Sequence, residues 1–170
     1  MGSAVVSFVA RAALVVAALG LGLTGCGKEI GDACILATDC SPNGDRQCDS
    51  YIDGYCTIQG CDYNTCPDEA VCVRFFSASF TNKSCDHTNP GAACSLDELC
   101  AITDHCVPRT SEVRYCMRKC DSSSDCRDRY ECRSLDLMKR DGGEPVVAPG
   151  QVVSDSPTKF CAVDPSRIDQ

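Results

Sequence analysis

Seventeen cysteines in 170 residues constrain this chain more than any other feature. Sixteen of them fall into two runs. Cys34, Cys40, Cys48, Cys56, Cys61, Cys66, Cys72 and Cys85 are separated by 5, 7, 7, 4, 4, 5 and 12 residues. Cys94, Cys100, Cys106, Cys116, Cys120, Cys126, Cys132 and Cys161 follow at 5, 5, 9, 3, 5, 5 and 28. Gly31 and Gly91 each precede the first cysteine of a run by three, Tyr55 and Tyr115 stand before the fourth, and Asp62 and Asp121 follow the fifth. The pattern predicts two tandem modules, residues 31-90 and 91-170. With five Phe, five Tyr and no Trp in the chain, neither module can bury a conventional core, and domains this small are held by staples. So many disulfides persist only in an oxidising compartment. The expected fold is small and disulfide-rich, with tandem duplicated modules of short β-hairpins and loops and little helix outside a signal peptide.

The seventeenth cysteine, Cys26, stands apart. It follows a single basic residue, Arg11, and the apolar run Ala12 to Leu23, which is short for a bilayer span and suits the hydrophobic part of a signal peptide. The run closes in Leu23-Thr24-Gly25-Cys26, which resembles a bacterial lipobox. The resemblance implies cleavage after residue 25, acylation of Cys26 (diacylglycerol, palmitate) and a short lipidated tether over 26-30. Setting Cys26 aside leaves an even number of cysteines to pair. Gly27, where an Asp would retain the protein at the inner membrane, implies sorting to the outer membrane. An uncleaved anchor over Ala4 to Gly25 is the competing reading, because the charge comes late. Export and attachment to the membrane through Cys26 are expected in the first case.

Each run divides into two sets of four cysteines, with a short leading loop and then a longer excursion that reads as a hairpin. Gln47–Tyr51 and Tyr55–Ile58 flank Asp53-Gly54, residues that supply the positive φ of tight turns. Val107–Arg109 and Val113–Met117 have the same form, as do Val71–Phe76 with Ser79–Ser84 and Tyr130–Leu135 with Thr158–Val163, the last pair carrying an insertion at 136-157. Four cysteines allow three pairings, and sequence alone leaves them open. Crossed pairing, first to third and second to fourth, would pin each leading loop to both strands. It predicts Cys34–Cys48, Cys40–Cys56, Cys61–Cys72, Cys66–Cys85, Cys94–Cys106, Cys100–Cys116, Cys120–Cys132 and Cys126–Cys161.

The recurring Gly-x2-Cys-x5-Cys with further spaced cysteines resembles the small cysteine-rich modules of EB and Dickkopf-amino-terminal type, over residues 31-161. Similar arrays occur on predicted lipoproteins of myxobacteria. The resemblance implies architecture only; eight cysteines per module stand where Dickkopf regions have ten, so that family's signalling role does not carry over.

Chemistry is sparse. There is no Cys-x2-Cys zinc knuckle, and no metal is expected. Two histidines, His87 and His105, stand near no matching nucleophile and acid and read as surface loop residues. Asp49, Asp53 and Gly54 match part of a calcium loop, but Tyr51 and Gly60 occupy ligand positions. A net charge of −8, with Arg109, Arg118, Arg127 and Arg133 interspersed among acids, argues against a nucleic-acid partner. The insertion stands out: Val146, Val147, Val152 and Val153 flank Pro149-Gly150 and could project as an interaction loop. No cofactor and no catalysis are expected. The reading is a lipid-anchored cell-envelope protein whose disulfide-stabilised loops meet an unknown protein or surface ligand. The alternative is an inhibitor of an extracellular hydrolase, with the valine tip as its reactive segment.

Overall fold

The computed structural model describes residues 27–76, 83–89, 93–153 and 158–168. Among the described residues the strands are short and antiparallel, and the helices are one of four residues, α1 (Ala37–Cys40), one of seven, α2 (Leu135–Asp141), and isolated 3-10 turns. The chain folds as a small disulfide-rich β-hairpin protein.

One unit is used four times. In each, two strands place a pair of cysteines directly opposite one another. Cys48 faces Cys56 across β1 (Gln47–Asp49) and β2 (Tyr55–Thr57). Cys100 faces Cys106 across β4 (Glu98–Cys100) and β5 (Cys106–Pro108). Cys132 faces Cys161 across β7 (Tyr130–Arg133) and β9 (Phe160–Val163). Cys72 faces Cys116 across β3 (Ala70–Phe76) and β6 (Glu112–Arg118). The two facing cysteines bond not to each other but to two cysteines of a preceding loop, so each loop is riveted across a strand pair.

The bonds Cys34–Cys48, Cys40–Cys56, Cys61–Cys72, Cys94–Cys106, Cys120–Cys132 and Cys126–Cys161 are present. The expected Cys66–Cys85 and Cys100–Cys116 are not: Cys66 bonds Cys116, and Cys85 bonds Cys100. The reason is the partner of β3. β3 pairs along its whole length with β6, from Ala70 opposite Arg118 to Phe76 opposite Glu112. That brings Cys116 opposite Cys72 and leaves Cys85 to join Cys94, Cys100 and Cys106. Crossed pairing therefore holds in every set of four, but the third set is nested inside the second.

The nesting removes the boundary expected between residues 90 and 91. The central sheet, in the order β6-β3-β8, takes strands from both halves, β8 being Glu144–Pro145. A disulfide of sequence separation 50 joins them as well. Val107–Arg109 does not pair with Val113–Met117: β5 pairs back on β4, and a 3-10 turn over Arg109–Ser111 turns the chain into β6. The return strand expected at 79–84 falls mostly outside the described residues.

The leading loops are capped by the residue just before the second cysteine. The Asp39 carboxylate accepts from the backbone N–H groups of Ile35 and Leu36 at 2.8 and 2.9 Å, and Asp125 accepts from Asp121 and Ser122 at 2.9 and 2.8 Å. In the second unit the Thr65 hydroxyl accepts from Asp62 N–H at 2.7 Å. Such local side-chain to backbone bonds fix turns that no ladder supports. Those N–H bonds hold both Asp39 and Asp125 below the usual carboxylate range. A carboxylate with a depressed folded pKa stabilises above its unfolded value, and that stability is lost as pH falls through the folded one. Asp125→Ala is accordingly expected to lower the urea midpoint at neutral pH and to lose less than the parent between pH 4 and pH 2, as two titrations read by circular dichroism would show.

At the first hairpin the turn chemistry is obligatory. Asp53 and Gly54 have φ of 56° and 63°, and a Cβ on Gly54 would lie 1.8 Å from the Cys34 carbonyl oxygen. Gly54→Ala should therefore cost about 1–3 kcal/mol or more, because backbone must move. Thermal unfolding would register it, with Gly44→Ala, where nothing lies within 4 Å, as the comparison.

The core gathers where the units meet. Phe160, Ile30, Ile102, Met138 and Val73 are fully buried in one cluster, drawn from the amino-terminal segment, the nested unit, the insertion and two strands. The insertion is part of this interior. Met138 of α2 is buried in it and β8 pairs with Val73 and Arg74. Glu144, 2 % exposed, receives the Arg74 Nε–H and the Ile102 N–H, so its carboxylate ties insertion, central strand and nested unit together.

Candidate functional site

In three of the four units the residue before the fourth cysteine is an aromatic ring: Tyr55, Tyr115 and Phe160; the nested unit has His105 there. Successive strand side chains point to opposite faces, so a cysteine turned toward its loop turns its neighbour the other way. The consequence is convergence. Tyr55 and Phe160 are buried in the main core cluster and Tyr115 packs against it.

Beside that convergence is a cavity of about 240 Å³, walled by Tyr55, Tyr115, Tyr130 and Phe75, with Met117 and Ala162. It is bounded by the first hairpin, the central sheet and the last hairpin, so no single unit forms it. Tyr51, 66 % exposed, and the exposed Asp49 stand at its edge. Its walls are fixed. Tyr55 and Tyr130 stack at 5.2 Å between ring centroids, and the Arg127 guanidinium lies 4.4 Å from the Tyr130 centroid and 5.6 Å from that of Tyr55. The Tyr130 hydroxyl donates to the Ile52 carbonyl, and the Tyr55 hydroxyl accepts the Arg118 N–H at 3.0 Å. Burial raises the pKa of both phenols, which stay neutral at physiological pH.

Arg133 also lines the cavity. Its side chain is 5 % exposed, and burial lowers its pKa from the usual arginine value. Nε donates to Glu131, Nη1 to the Asp141 and Gly142 carbonyls, and Nη2 to the Val163 carbonyl. A guanidinium has five N–H donors, so one on Nη2 is left over. The arrangement is an apolar, ring-lined slot with a buried guanidinium in its wall and one carboxylate at its edge, the lining expected of a binding site.

The other predicted residues are placed differently. Val153 is buried and Val146 and Val147 pack against the main core; Val152 is half-buried. The turn at Pro149-Gly150 does form, with the Gln151 N–H donating to the Ala148 carbonyl and Gly150 at φ 86°. Val146, Val147 and Val153 nonetheless face inward, because β8 draws the segment onto β3, with the Val146 N–H bonded to the Cys72 carbonyl. The expected projecting loop is therefore corrected to a segment whose Val146, Val147 and Val153 pack against the core. Cys26, the expected lipid site, lies outside the described residues.

The histidines are not free surface groups. His87 Nδ1 lies 2.6 Å from Asp104, its side chain is 9 % exposed and its Nε2 is buried without a partner. His105 Nδ1 lies 2.7 Å from the Thr103 carbonyl oxygen. Asp86, His87 and Asp104 place ligand-type atoms within 4.8 Å of one another, but Asp104 takes up His87 Nδ1, and Asp86 receives the Thr88 hydroxyl at 2.6 Å. The first contact joins two loops of the nested unit and the second is local to a turn. The cysteine clusters that could hold a metal by proximity consist of disulfide sulfurs.

No known family, curated protein or solved structure matches this chain. Sequence reasoning missed the cavity because Tyr55 and Tyr115 served it only as markers of duplication. The signal was present in the ring that precedes the fourth cysteine of three sets, once the sets are drawn as the fold draws them.

Proposed function

We propose that this is an exported lipoprotein of the bacterial cell envelope, acylated at Cys26 and held at the outer membrane, which works without catalysis by binding another protein. The observation that carries the binding role is the aromatic-walled cavity at the meeting of three units. Its size and lining suit one ring-bearing side chain of a partner, whose carbonyl or hydroxyl oxygen would take the spare Arg133 N–H. The disulfides support the same reading. They hold the walls before the ligand arrives, and a preformed site loses little conformational entropy on binding.

The lipobox at Leu23 to Cys26 and the odd cysteine count support the anchor. Two or more acyl chains would give durable attachment where one is marginal.

The binding role is tested by proton–nitrogen correlation spectra of the protein titrated with N-acetyl amides of tyrosine, phenylalanine and lysine. The expected outcome is saturable shifts with the tyrosine amide, confined to the backbone signals of Tyr51, Tyr55, Tyr115 and Tyr130. Signals that stay put with all three amides would refute the cavity as a side-chain site. The mass of the mature protein tests the anchor separately, by reporting an acylated Cys26.

A further inference from the structure

Only three residues, Gly27, Lys28 and Glu29, separate the proposed acylation site from the first turn of the fold at Ile30 and Gly31, and the segment does not hang free. Ile30 is fully buried, and the Gly31 N–H donates to the Cys56 carbonyl at 2.9 Å. Lys28 Nζ donates to the Ala33 carbonyl at 2.7 Å, and the Arg46 guanidinium donates to the Lys28 carbonyl. Gly27 packs beside Cys40, whose carbonyl oxygen would lie 3.4 Å from an added Cβ. The segment thus runs along the first disulfide loop, touching both of its ends.

That loop exposes two adjacent aliphatic side chains, Ile35 at 87 % and Leu36 at 62 %. They are held out. Both backbone N–H groups are bonded to Asp39, the next residues form α1, and Cys34 and Cys40 fix the loop to the facing strands. Single exposed aliphatics such as Leu96 are ordinary on a protein surface, but two together on a rigid loop beside a lipid attachment point are not.

We infer that the Cys34–Cys40 loop is the membrane-facing surface of the protein, with Ile35 and Leu36 inserted into the acyl boundary of the bilayer. The inference rests on the anchor at Cys26 proposed above. With Gly27 seated on Cys40, an acylated neighbour brings the bilayer to this loop. The contact is apolar, not electrostatic: Arg46 pairs with Glu69 at 3.6 Å, Arg118 pairs with Glu29 at 3.2 Å, and Asp39 and Asp45 stand in or beside the loop. Insertion therefore needs no anionic lipid. It also fixes orientation, since a protein held at two points cannot roll about its tether.

The chain contains no Trp, so a single introduced indole reports its own surroundings. Leu36→Trp, Ile35→Trp and Leu96→Trp, each in the acylated full-length protein, would be reconstituted into phosphatidylcholine vesicles with and without brominated acyl chains. Flotation reads the anchor and quenching reads the loop. The expected result is flotation of all three, with at least threefold bromine quenching and a blue-shifted emission for Trp at 35 and 36 and neither for Trp at 96. Flotation with equal quenching at 36 and 96, or quenching that requires anionic lipid, overturns the inference and leaves the anchor standing. Absence of flotation overturns both.

Discussion

Replacing Cys66 and Cys116 together by Ala is expected to destabilise the protein by about 4 kcal/mol, the largest loss from removing any one bridge. The bond closes a span of sequence separation 50, against 11 for Cys61–Cys72. In the chain-entropy account the restriction of the unfolded state grows with the logarithm of the loop, giving about 4 kcal/mol for the longer span and about 3 kcal/mol for the shorter. Position adds to length. Cys116 is fully buried in the main core, and its bridge ties β6 to the leading loop of the second unit. Denaturant titration of the double variant beside Cys61→Ala with Cys72→Ala would measure the difference. Equal losses would mean that the long span is already ordered before folding, or that the two halves hold together without the bond.

Glu144→Ala is expected to lose about 3 kcal/mol, because it leaves the buried Ile102 N–H without its acceptor and takes the carboxylate from the partly buried Arg74 guanidinium. Glu144→Gln keeps an oxygen for one of them and should lose less. Burial, the larger influence, raises the Glu144 pKa, and the Arg74 charge offsets it only in part. A carboxyl whose folded pKa lies above its unfolded value contributes stability that is complete below the unfolded value and is lost as pH rises through the folded one. The parent should therefore gain on Glu144→Gln as pH falls from 7 toward about 4.5, the ordinary glutamate range. Chemical-denaturation midpoints for both proteins across that interval would show the gap widening toward acid. A gap that narrowed would mean that the ion pair outweighs burial at this carboxylate.

Two capping aspartates run the other way. Asp39 and Asp125 are held ionised by backbone N–H groups, so their contribution disappears in acid while that of Glu144 does not. Below about pH 3.8 the loops, not the centre, are where acid acts first.

What the sequence made legible was local. Crossed pairing followed from a short loop preceding a hairpin, and it holds in all four units because facing strand cysteines always lie within reach of a riveted loop. The Asp53-Gly54 and Pro149-Gly150 turns were legible for the same reason, since a φ requirement is a property of a few adjacent residues. The partner of β3 was not. Val71 to Phe76 reads as a strand in either arrangement, and nothing in its own residues distinguishes a near return at 79–84 from one at Glu112–Arg118. The near return closes a smaller loop, so a sequence reading prefers it; packing of Tyr115, Met117 and Phe75 around the shared centre reverses the preference.

The valines of the insertion show the same limit. Two pairs of branched side chains about a Pro-Gly turn fit a projecting hairpin and a segment folded onto the core equally well. Glu144 decides between them, through bonds to Arg74 and Ile102 that lie 70 and 42 residues away along the chain. The cavity was hidden one level further up. Its walls come from Tyr55, Phe75, Tyr115 and Tyr130, which share a site only after β3 has paired with β6.

The nested unit is the feature on which the core, the cavity and the loss of a boundary at residue 90 all depend. Proteolysis of the unreduced protein, followed by mass spectrometry of the linked peptides, tests it directly. The fold predicts a peptide pair joined through Cys66 and Cys116 and another joined through Cys85 and Cys100. Pairs joined through Cys66 and Cys85, and through Cys100 and Cys116, would describe two separate modules and contradict it.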